Sequence, residues 1–180
     1  MITEKKLYGG VIYLRQLEIS DCTVEYVNWL NDPKVNQYLE TKYVPQNLKT
    51  IREFVVSQRD HEDSVLFAIC MQDRDRHIGN IKIGPMNFQH RHADISYFIG
   101  DRKEWGKGIA KEAVSLVCDF GFEELNLQKI EAGTYDCAVG SQKVLKANGF
   151  QCEGTLRQHV LFEGAYRNCY MWGLLRSDRI

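Results

Sequence analysis

Apolar residues recur every three to four positions over residues 109–120, a spacing typical of an amphipathic helix. This helix would bury Ile109, Ala113, Leu116, Val117 and Phe120, with Lys111, Glu112, Ser115 and Asp119 on its opposite face. Directly before it, residues 94–100 are apolar, β-branched or aromatic at most positions, which is typical of a strand. The pattern therefore predicts a strand, a glycine-rich turn and a helix in succession.

The rest of the chain alternates between strand-like and helix-like patterns. Helices are predicted at about 21–30, 33–40, 48–60 and 138–148, the first capped by Ser20 and the last followed by Gly149. Strands are predicted at 11–17, 64–71, 77–88, 90–100, 129–135, 150–153 and 168–175. A strand meander followed by alternating helices and strands predicts an α/β (α+β) fold with a mixed sheet rather than a fully parallel one.

Composition limits the class of protein. The chain has 180 residues, of which 44% are hydrophobic and 26% charged, and we expect one globular domain over residues 1–180. A formal net charge of -1 gives no general attraction to nucleic acid or to an acidic membrane. No apolar run approaches membrane-spanning length and the N-terminus lacks a signal-peptide core, so we expect a cytoplasmic protein.

The turn before the central helix has the features of an anion site. It contains Gly106, Lys107 and Gly108, and no Ser, Thr, Asp or Asn stands where it would cap the helix. The first N–H groups of the helix therefore lack side-chain partners, and the glycines allow another molecule to approach the backbone. Such a helix end favours a phosphate or pyrophosphate. The alternative is a plain turn in which glycine only supplies the bend.

Two common phosphate-binding motifs do not fit this turn. A Walker A loop needs Gly, four residues and then Gly-Lys-Ser/Thr, but five residues separate Gly100 from Gly106, and Gly108 follows Lys107. A dinucleotide fingerprint needs a third glycine three residues after Gly108, where Lys111 stands. The pattern favours recognition of a pyrophosphate by successive backbone N–H groups, and it requires no metal.

Residues 105–110, Trp-Gly-Lys-Gly-Ile-Ala, resemble the coenzyme A loop of the GNAT family of N-acetyltransferases. Trp105 replaces the family's first Arg or Gln, as in the branch of ribosomal-protein-alanine N-acetyltransferases (RimJ/RimL-like). Residues 129–150 resemble the family's second cofactor-contacting strand and helix: Ser141 matches, whereas Ala138 and Leu145 replace an expected Asn and Tyr. Together with the tail, the resemblance covers about residues 10–176.

The resemblance implies a single domain with a largely antiparallel central sheet flanked by helices, and acetyl-CoA as the cosubstrate. It implies a cofactor site formed by Phe98, Ile99, Gly100, Trp105, Gly106, Lys107, Gly108, Ile109, Ala110 and Ser141. It also implies that backbone N–H groups of residues 97–100 stabilise the charge that develops on the acetyl carbonyl oxygen.

Asp94 is the candidate general base. It lies in Ala93-Asp94-Ile95, which resembles the segment whose glutamate is the base in histone-modifying members of the family. An alkylammonium has a pKa of about 10, so the acceptor must lose a proton before it attacks the thioester. Asp is a methylene shorter than Glu, so Asp94 is expected to act directly or through a water. A solvated or hydrogen-bonded carboxylate without a catalytic role is the alternative.

A metal site is a second hypothesis for the strand that carries Asp94. A period of two places His90, His92 and Asp94 on the face that also carries Ser96 and Phe98. Two histidines and a carboxylate suit zinc or iron. Nothing else in the sequence demands a metal, and we expect none.

Candidates for protonating the leaving thiolate are weaker, because Leu145 stands where the family often has a tyrosine. Ser141 is the remaining hydroxyl of the motif and Tyr135 is a second candidate. A serine hydroxyl is a poor acid, so Ser141 is expected to hydrogen-bond the thiolate or to bind backbone at the helix start.

The six cysteines are scattered, which favours reduced thiols, and only Cys137, near the expected cleft, stays open as a nucleophile.

Two functions follow from these features. The first is an N-acetyltransferase, active as a monomer or homodimer, that moves acetyl from acetyl-CoA directly to a primary amine. The amine would belong to an amino sugar or sugar nucleotide, or to a protein N-terminus. The second is a CoA-binding protein of the same fold with little or no catalysis. A basic pocket built from Arg15, Arg52, Arg91 and Arg157 would favour a sugar nucleotide.

Overall fold

The computed structural model describes residues 5–179, which contain eight strands and four α-helices. The strands are β1 (Leu7–Tyr8), β2 (Ile12–Gln16), β3 (Val65–Met71), β4 (Arg76–Asn87), β5 (His92–Ile99), β6 (Lys129–Tyr135), β7 (Gln151–Phe162) and β8 (Ala165–Leu175). The helices are α1 (Val24–Asn31), α2 (Leu48–Asp60), α3 (Ile109–Glu123) and α4 (Val139–Ala147). None of these helices is long and apolar enough to span a membrane.

The strands form one sheet in the order β1-β2-β3-β4-β5-β6-β8-β7. Neighbours pair antiparallel except β5 and β6, so the predicted mixed and largely antiparallel sheet is confirmed. The parallel ladder between β5 and β6 is short, and its last pair is Asp94 with Glu131. Beyond that pair the two strands part, which leaves the edge of β5 open as far as Ile99 and creates a cleft in the middle of the sheet.

The sheet separates two apolar cores, and successive residues of β5 face opposite ones. On one side, Ala93 and Ile95 belong to a core that includes side chains of α3 and α4. On the other side, Phe98 packs against a core that includes side chains of α1 and α2. Asp94, Ser96 and Phe98 therefore share the α1/α2 face, in agreement with the period-two pattern.

The predicted start of the first helix is wrong. Residues Ile19–Asp21 form a short 3-10 turn, so Ser20 lies inside this turn and does not cap α1. The cap is Thr23, whose Oγ1 accepts a hydrogen bond from the Tyr26 N–H at 3.3 Å. Ser and Thr are both good caps, and tertiary packing selects between them.

The helix predicted at 33–40 is also wrong. Residues 33–39 form turns, and a 3-10 helix follows at Glu40–Tyr43. The Asp32 carboxylate accepts a hydrogen bond from the Lys34 N–H at 2.8 Å. Such side-chain bonds offer the backbone an alternative to helix, and here they hold an irregular segment over the sheet.

The last two strands are longer than the predicted 150–153 and 168–175. They form a hairpin whose outer half is mostly exposed on both faces, so the alternation that identifies a half-buried strand is absent there. Its tip reaches back to the irregular segment: the Tyr43 hydroxyl donates to Leu161 O at 3.1 Å, and the Tyr38 ring stacks on Phe162.

The polar face of α3 is fastened to the rest of the fold rather than left in solvent. Glu112 Oε1 accepts the Val11 N–H at 3.0 Å. Arg179 donates to Ser115 Oγ at 2.7 Å and to Asp119 Oδ1 at 2.8 Å. The helix that begins at the glycine loop is thus held on both faces, which fixes the position of its N-terminus.

Candidate active site

The open edge of β5 supplies backbone donors to the cleft. The Gly100 N–H donates across to Ile78 O on β4 at 2.8 Å, and alternate residues of an antiparallel strand bond to the same neighbour. The N–H groups of Tyr97 and Ile99 therefore point to the edge that faces the cleft. The Trp105 indole also binds at that edge, where Nε1 donates to Ile99 O at 2.8 Å.

Gly100 and Phe98, at the end of β5, pack against side chains of α1. A Cβ at Gly100 would lie 2.1 Å from Trp29 Cδ2, so the glycine makes room for that indole, and its N–H is already bound to β4. The Phe98 ring stacks on Tyr26 with ring centroids 6.2 Å apart. Direct contact of these two residues with a cofactor stays a prediction.

The loop before α3 fits a phosphate ligand. Gly106 and Gly108 have φ of +76° and +83°, values that favour glycine, and a Cβ at either would meet nothing within 4 Å. Gly108 is the N-cap of α3, and no side chain among residues 5–179 caps the helix. Ile109 is buried and Ala110 half-buried, which leaves the backbone as the accessible part of the first turn. Its free N–H groups are donors for an anion.

Ion pairs brace this loop against β4. Arg76 pairs with Asp101 and, at 3.0 Å, with Glu104 Oε1. Lys107 Nζ lies 3.0 Å from Glu104 Oε2. Glu104 pairs with both Arg76 and Lys107 and neutralises part of the charge of Lys107. The backbone N–H groups of the loop are therefore the main hydrogen-bond donors for an anion.

Asp94 stands where β5 and β6 part, beside a second carboxylate. Its partner across the ladder is Glu131, and paired residues of neighbouring strands point to the same face. Partial desolvation raises the pKa of Asp94 and the charge of Glu131 raises it further, whereas His92 and Lys82 lower it. Within the described part of the chain, no hydrogen bond engages the Asp94 carboxylate, so its oxygens are open to an amine or a water.

Glu131, which the sequence did not indicate, is contacted by basic side chains on two sides. His92 Nδ1 lies 2.9 Å from Glu131 Oε2, and Lys129 Nζ lies 3.0 Å from Glu131 Oε1. Lys129 also reaches Glu153 Oε2 at 2.6 Å. The Glu153 side chain packs over Gly173, where a Cβ would lie 2.4 Å from its carboxyl carbon. Glu131 is thus fixed in place by its contacts, whereas the carboxylate of Asp94, the candidate base, is not.

Ser141 lies across the cleft from β5, in the first turn of α4. The Tyr97 hydroxyl donates to its main-chain oxygen at 3.4 Å and links the two walls. Burial raises the pKa of Tyr97 to about 12, so this hydroxyl stays protonated at neutral pH. Leu145 is fully buried in the core. The structure therefore brings Ser141 together with Tyr97, a donor that sequence reasoning missed because nothing in the sequence gives the direction of a strand side chain across a cleft.

Tyr135, the second acid candidate, is bound elsewhere. Its hydroxyl donates to Glu40 Oε1 at 3.1 Å, and its ring packs against Tyr38 and Phe162. Burial raises the pKa of this hydroxyl well above its usual value. These contacts place Tyr135 at the segment before α2 and give no support to a role in protonating a thiolate.

A cavity of about 620 Å³ opens between β4 and β5 and the α1/α2 side of the fold. Its lining is mostly apolar, with Glu40, Thr41, Asn80, Lys82 and Ser96 among its polar residues. Two buried polar atoms of this lining, Thr41 Oγ1 and Asn80 Nδ2, lack a hydrogen-bond partner within the described residues. A mostly apolar pocket with a few unsatisfied polar groups is the usual form of a small-molecule site.

The metal hypothesis finds no support in the geometry. His90 lies in the turn before β5 rather than on the strand, and His92 faces Glu131. Across residues 5–179, no group of three or more His, Cys, Asp or Glu side chains is arranged to hold a metal ion.

Cys137 lies on the connection from β6 to α4, near the cleft. It is half-buried, and its main-chain oxygen accepts the Tyr38 hydroxyl at 3.2 Å. The six cysteines are free thiols, and Cys70 and Cys118 are buried.

Sequence comparison gives a consistent assignment. The model of the acetyltransferase (GNAT) domain family matches residues 12–151. An uncharacterized N-acetyltransferase, p20, of Bacillus licheniformis is 32% identical over 176 residues, which cover 96% of this chain and 97% of that protein.

Structure comparison gives the same fold. A spermidine N-acetyltransferase from Vibrio cholerae, in complex with CoA and spermine, superposes with a TM-score of 0.83 at 22% identity, covering 93% of this chain and 96% of that one. Mycobacterium smegmatis RimJ, in complex with CoA-disulfide, superposes with a TM-score of 0.81 at 22% identity, covering 94% and 84%.

Proposed function

This chain belongs to the GNAT acetyltransferase family, and we propose that it transfers acetyl from acetyl-CoA directly to a primary amine in the cleft between β5 and β6. The observation that carries the proposal is the end of the parallel ladder at Asp94. At that point an unengaged carboxylate adjoins an open strand edge, and the edge leads to the uncapped N-terminus of α3.

The residues of the loop fit the cosubstrate, which supplies an acetyl thioester when bound. The N–H groups at the start of α3 and the backbone of Gly106 and Gly108 would hold the pyrophosphate. Lys107 would add a cation once it leaves Glu104. The open edge of β5 at Tyr97 and Ile99 would bind the extended arm as a neighbouring strand would.

Asp94 would take the proton of the acceptor ammonium. The raised pKa of Asp94 brings it closer to neutral pH, and a better match to the operating pH makes a base more effective. The N–H groups of Tyr97 and Ile99 face the cleft and would stabilise the negative charge that develops on the acetyl oxygen. The Ser141 hydroxyl would donate a hydrogen bond to the departing thiolate, and Tyr97, whose hydroxyl donates to Ser141 O, would hold that turn of α4 beside β5.

Glu131→Gln is expected to lower the pKa of Asp94. Removal of a neighbouring negative charge makes the ionised carboxylate easier to form. The measurement is the carboxyl carbon resonance of Asp94 during a pH titration of the free protein. His92→Gln is the matched control and should move the pKa of Asp94 upward. An unchanged titration in both variants would mean that the three side chains do not interact.

Cys137→Ser is expected to leave turnover within about threefold of the wild type, because direct transfer needs no acyl-enzyme on a thiol. Steady-state kinetics of CoA release test this. A loss of several hundredfold with an intact fold would favour a covalent intermediate on Cys137.

We take the cavity of about 620 Å³ beside β4 and β5 as the acceptor cavity, and its mostly apolar lining favours a small amine on an apolar body, such as the α-amine of a protein N-terminus. The RimJ-like branch fits this choice. A sugar nucleotide is less favoured: none of Arg15, Arg52, Arg91 and Arg157 lines the cavity, and Arg15 is held by Asp21 through two hydrogen bonds. Release of free CoA with a panel of amine classes tests the assignment. Binding of acetyl-CoA without turnover on any amine would favour the alternative, a CoA-binding protein.

A further inference from the structure

Lys42, on the 3-10 helix before α2, lies in an aromatic cage formed by Tyr43, Tyr135 and Phe162. Its Nζ is 4.9 Å from the ring centroids of Tyr43 and of Tyr135, and 5.2 Å from that of Phe162. The same ammonium donates to Gln37 O at 3.0 Å. Three rings around one cation is the arrangement that proteins use to recognise ammonium groups.

The cage is assembled from distant parts of the chain. Tyr43 comes from the 3-10 helix, Tyr135 from the end of β6 and Phe162 from the end of β7. Tyr38 holds two of them, because its ring stacks on Phe162 at 5.3 Å and meets the edge of Tyr135 at 5.7 Å. The rings of Tyr135 and Phe162 are therefore held in place by Tyr38 as well as by Lys42.

The cage and the acceptor cavity share a wall. Glu40 and Thr41, which precede Lys42 in the sequence, line the cavity together with Tyr38. Glu40 Oε1 accepts the hydroxyl of the cage residue Tyr135 at 3.1 Å. Lys42, Tyr43 and Phe162 line a neighbouring cavity of about 630 Å³, and Thr41 belongs to the lining of both cavities, so an ammonium in the cage lies beside the proposed acceptor site.

We propose that the aromatic cage is a cation subsite of the acceptor site, filled by the protein's own Lys42, and that this selects primary amines with a single positive charge. The proposal rests on the proposed function. A diamine or polyamine would bring a second ammonium towards the cage. The Lys42 ammonium already occupies the three rings there and repels a second positive charge. A monoamine has no second charge to place.

The cavity supports the same preference. Among the described residues that line it, Lys82, on β4, is the one cation and Glu40 is the one carboxylate. A site built to take a polycation would place more carboxylates than cations around the ligand. The charges around this cavity therefore suit an acceptor with one ammonium and an apolar body.

Lys42→Met tests the proposal, because methionine keeps an unbranched apolar stem and removes the charge. The substrates are butylamine and 1,4-diaminobutane, which differ by one amino group. We expect the ratio of kcat/KM for the diamine to that for the monoamine to rise by about tenfold or more in Lys42→Met. Lys42→Arg, which keeps the cation, should retain the wild-type ratio. Where Lys42→Met fails to fold, Lys42→Gln replaces it.

Binding of tetramethylammonium gives a second readout that needs no turnover. This ion should shift the ring resonances of Tyr135 and Phe162 in Lys42→Ala, whose short side chain empties the cage, and leave them unmoved in the wild type. An unchanged substrate ratio in Lys42→Met, or no binding of the ion to a folded Lys42→Ala, would overturn the proposal and leave Lys42 as a clamp on the β7–β8 hairpin. If the wild-type protein acetylates no amine at all, the proposed function fails. Binding of tetramethylammonium then becomes the only test of whether the rings form a cation site.

Discussion

Gly108→Glu is expected to abolish acetyl-CoA binding while the protein remains folded. The glycine is the N-cap of α3, and the space around a Cβ at this position is empty for 4 Å. A carboxylate there would occupy the anion position and repel the pyrophosphate. Two like charges about 4 Å apart cost about 4 kcal/mol at the effective dielectric of a protein surface, or roughly a thousandfold in affinity. Titration calorimetry measures the loss.

Gly108→Gln is the matched control for this experiment. Both variants place a side chain of equal size at a φ of +83°, so both carry the same strain of about 1–2 kcal/mol. They differ only in charge. Gln should therefore weaken binding much less than Glu, with equal thermal unfolding temperatures. Wild-type affinity in Gly108→Glu would show that the pyrophosphate binds elsewhere.

Asp94→Asn is expected to reduce kcat by roughly 10²–10⁴, the usual contribution of a positioned general base. Asparagine keeps the shape of the side chain but cannot accept a proton from the acceptor ammonium. Acetyl-CoA affinity should stay near the wild-type value, because the phosphates bind at the loop before α3. The loss should shrink at high pH, where more of the amine is already neutral. Stopped assays over a pH series measure both effects.

Stability separates this effect from damage to the fold. A carboxyl whose pKa is raised by folding stabilises the native state below its unfolded pKa, and that contribution is lost as pH rises through the folded pKa. At neutral pH the ionised Asp94 is therefore unfavourable, and Asp94→Asn should unfold at the same or a higher temperature. A loss of activity below threefold at pH 7 would transfer the role to His92 or to solvent.

The elements near the glycine loop were predictable because local signals agree there. The apolar spacing of Ile109, Ala113 and Val117 fits only a helix, and the missing cap is visible in the sequence. The segment at 33–40 was mispredicted because hydrogen bonds such as that of Asp32 compete with helix. The outer hairpin was missed because an arm exposed on both faces needs no hydrophobic alternation.

The residues of the candidate site also divide into those that the sequence indicates and those that only the fold reveals. Asp94 and the loop could be named from their motifs, because each is a short continuous stretch. Glu131 and Tyr97 could not, since their positions depend on the register of β5 with β6 and on the place where those strands part. The cage around Lys42 joins three segments and is visible only after the chain has folded.

The most direct test of the account is amine-dependent release of free CoA, with the acetylated product identified by mass. The panel holds alkyl monoamines, polyamines, amino sugars and their nucleotides, and peptides with free N-termini. We predict that at least one monoamine or peptide is acetylated by the wild-type protein, and that Asp94→Asn is slower by roughly a hundredfold or more on the same amine. A protein that binds acetyl-CoA tightly but releases no CoA with any of these amines would contradict the account.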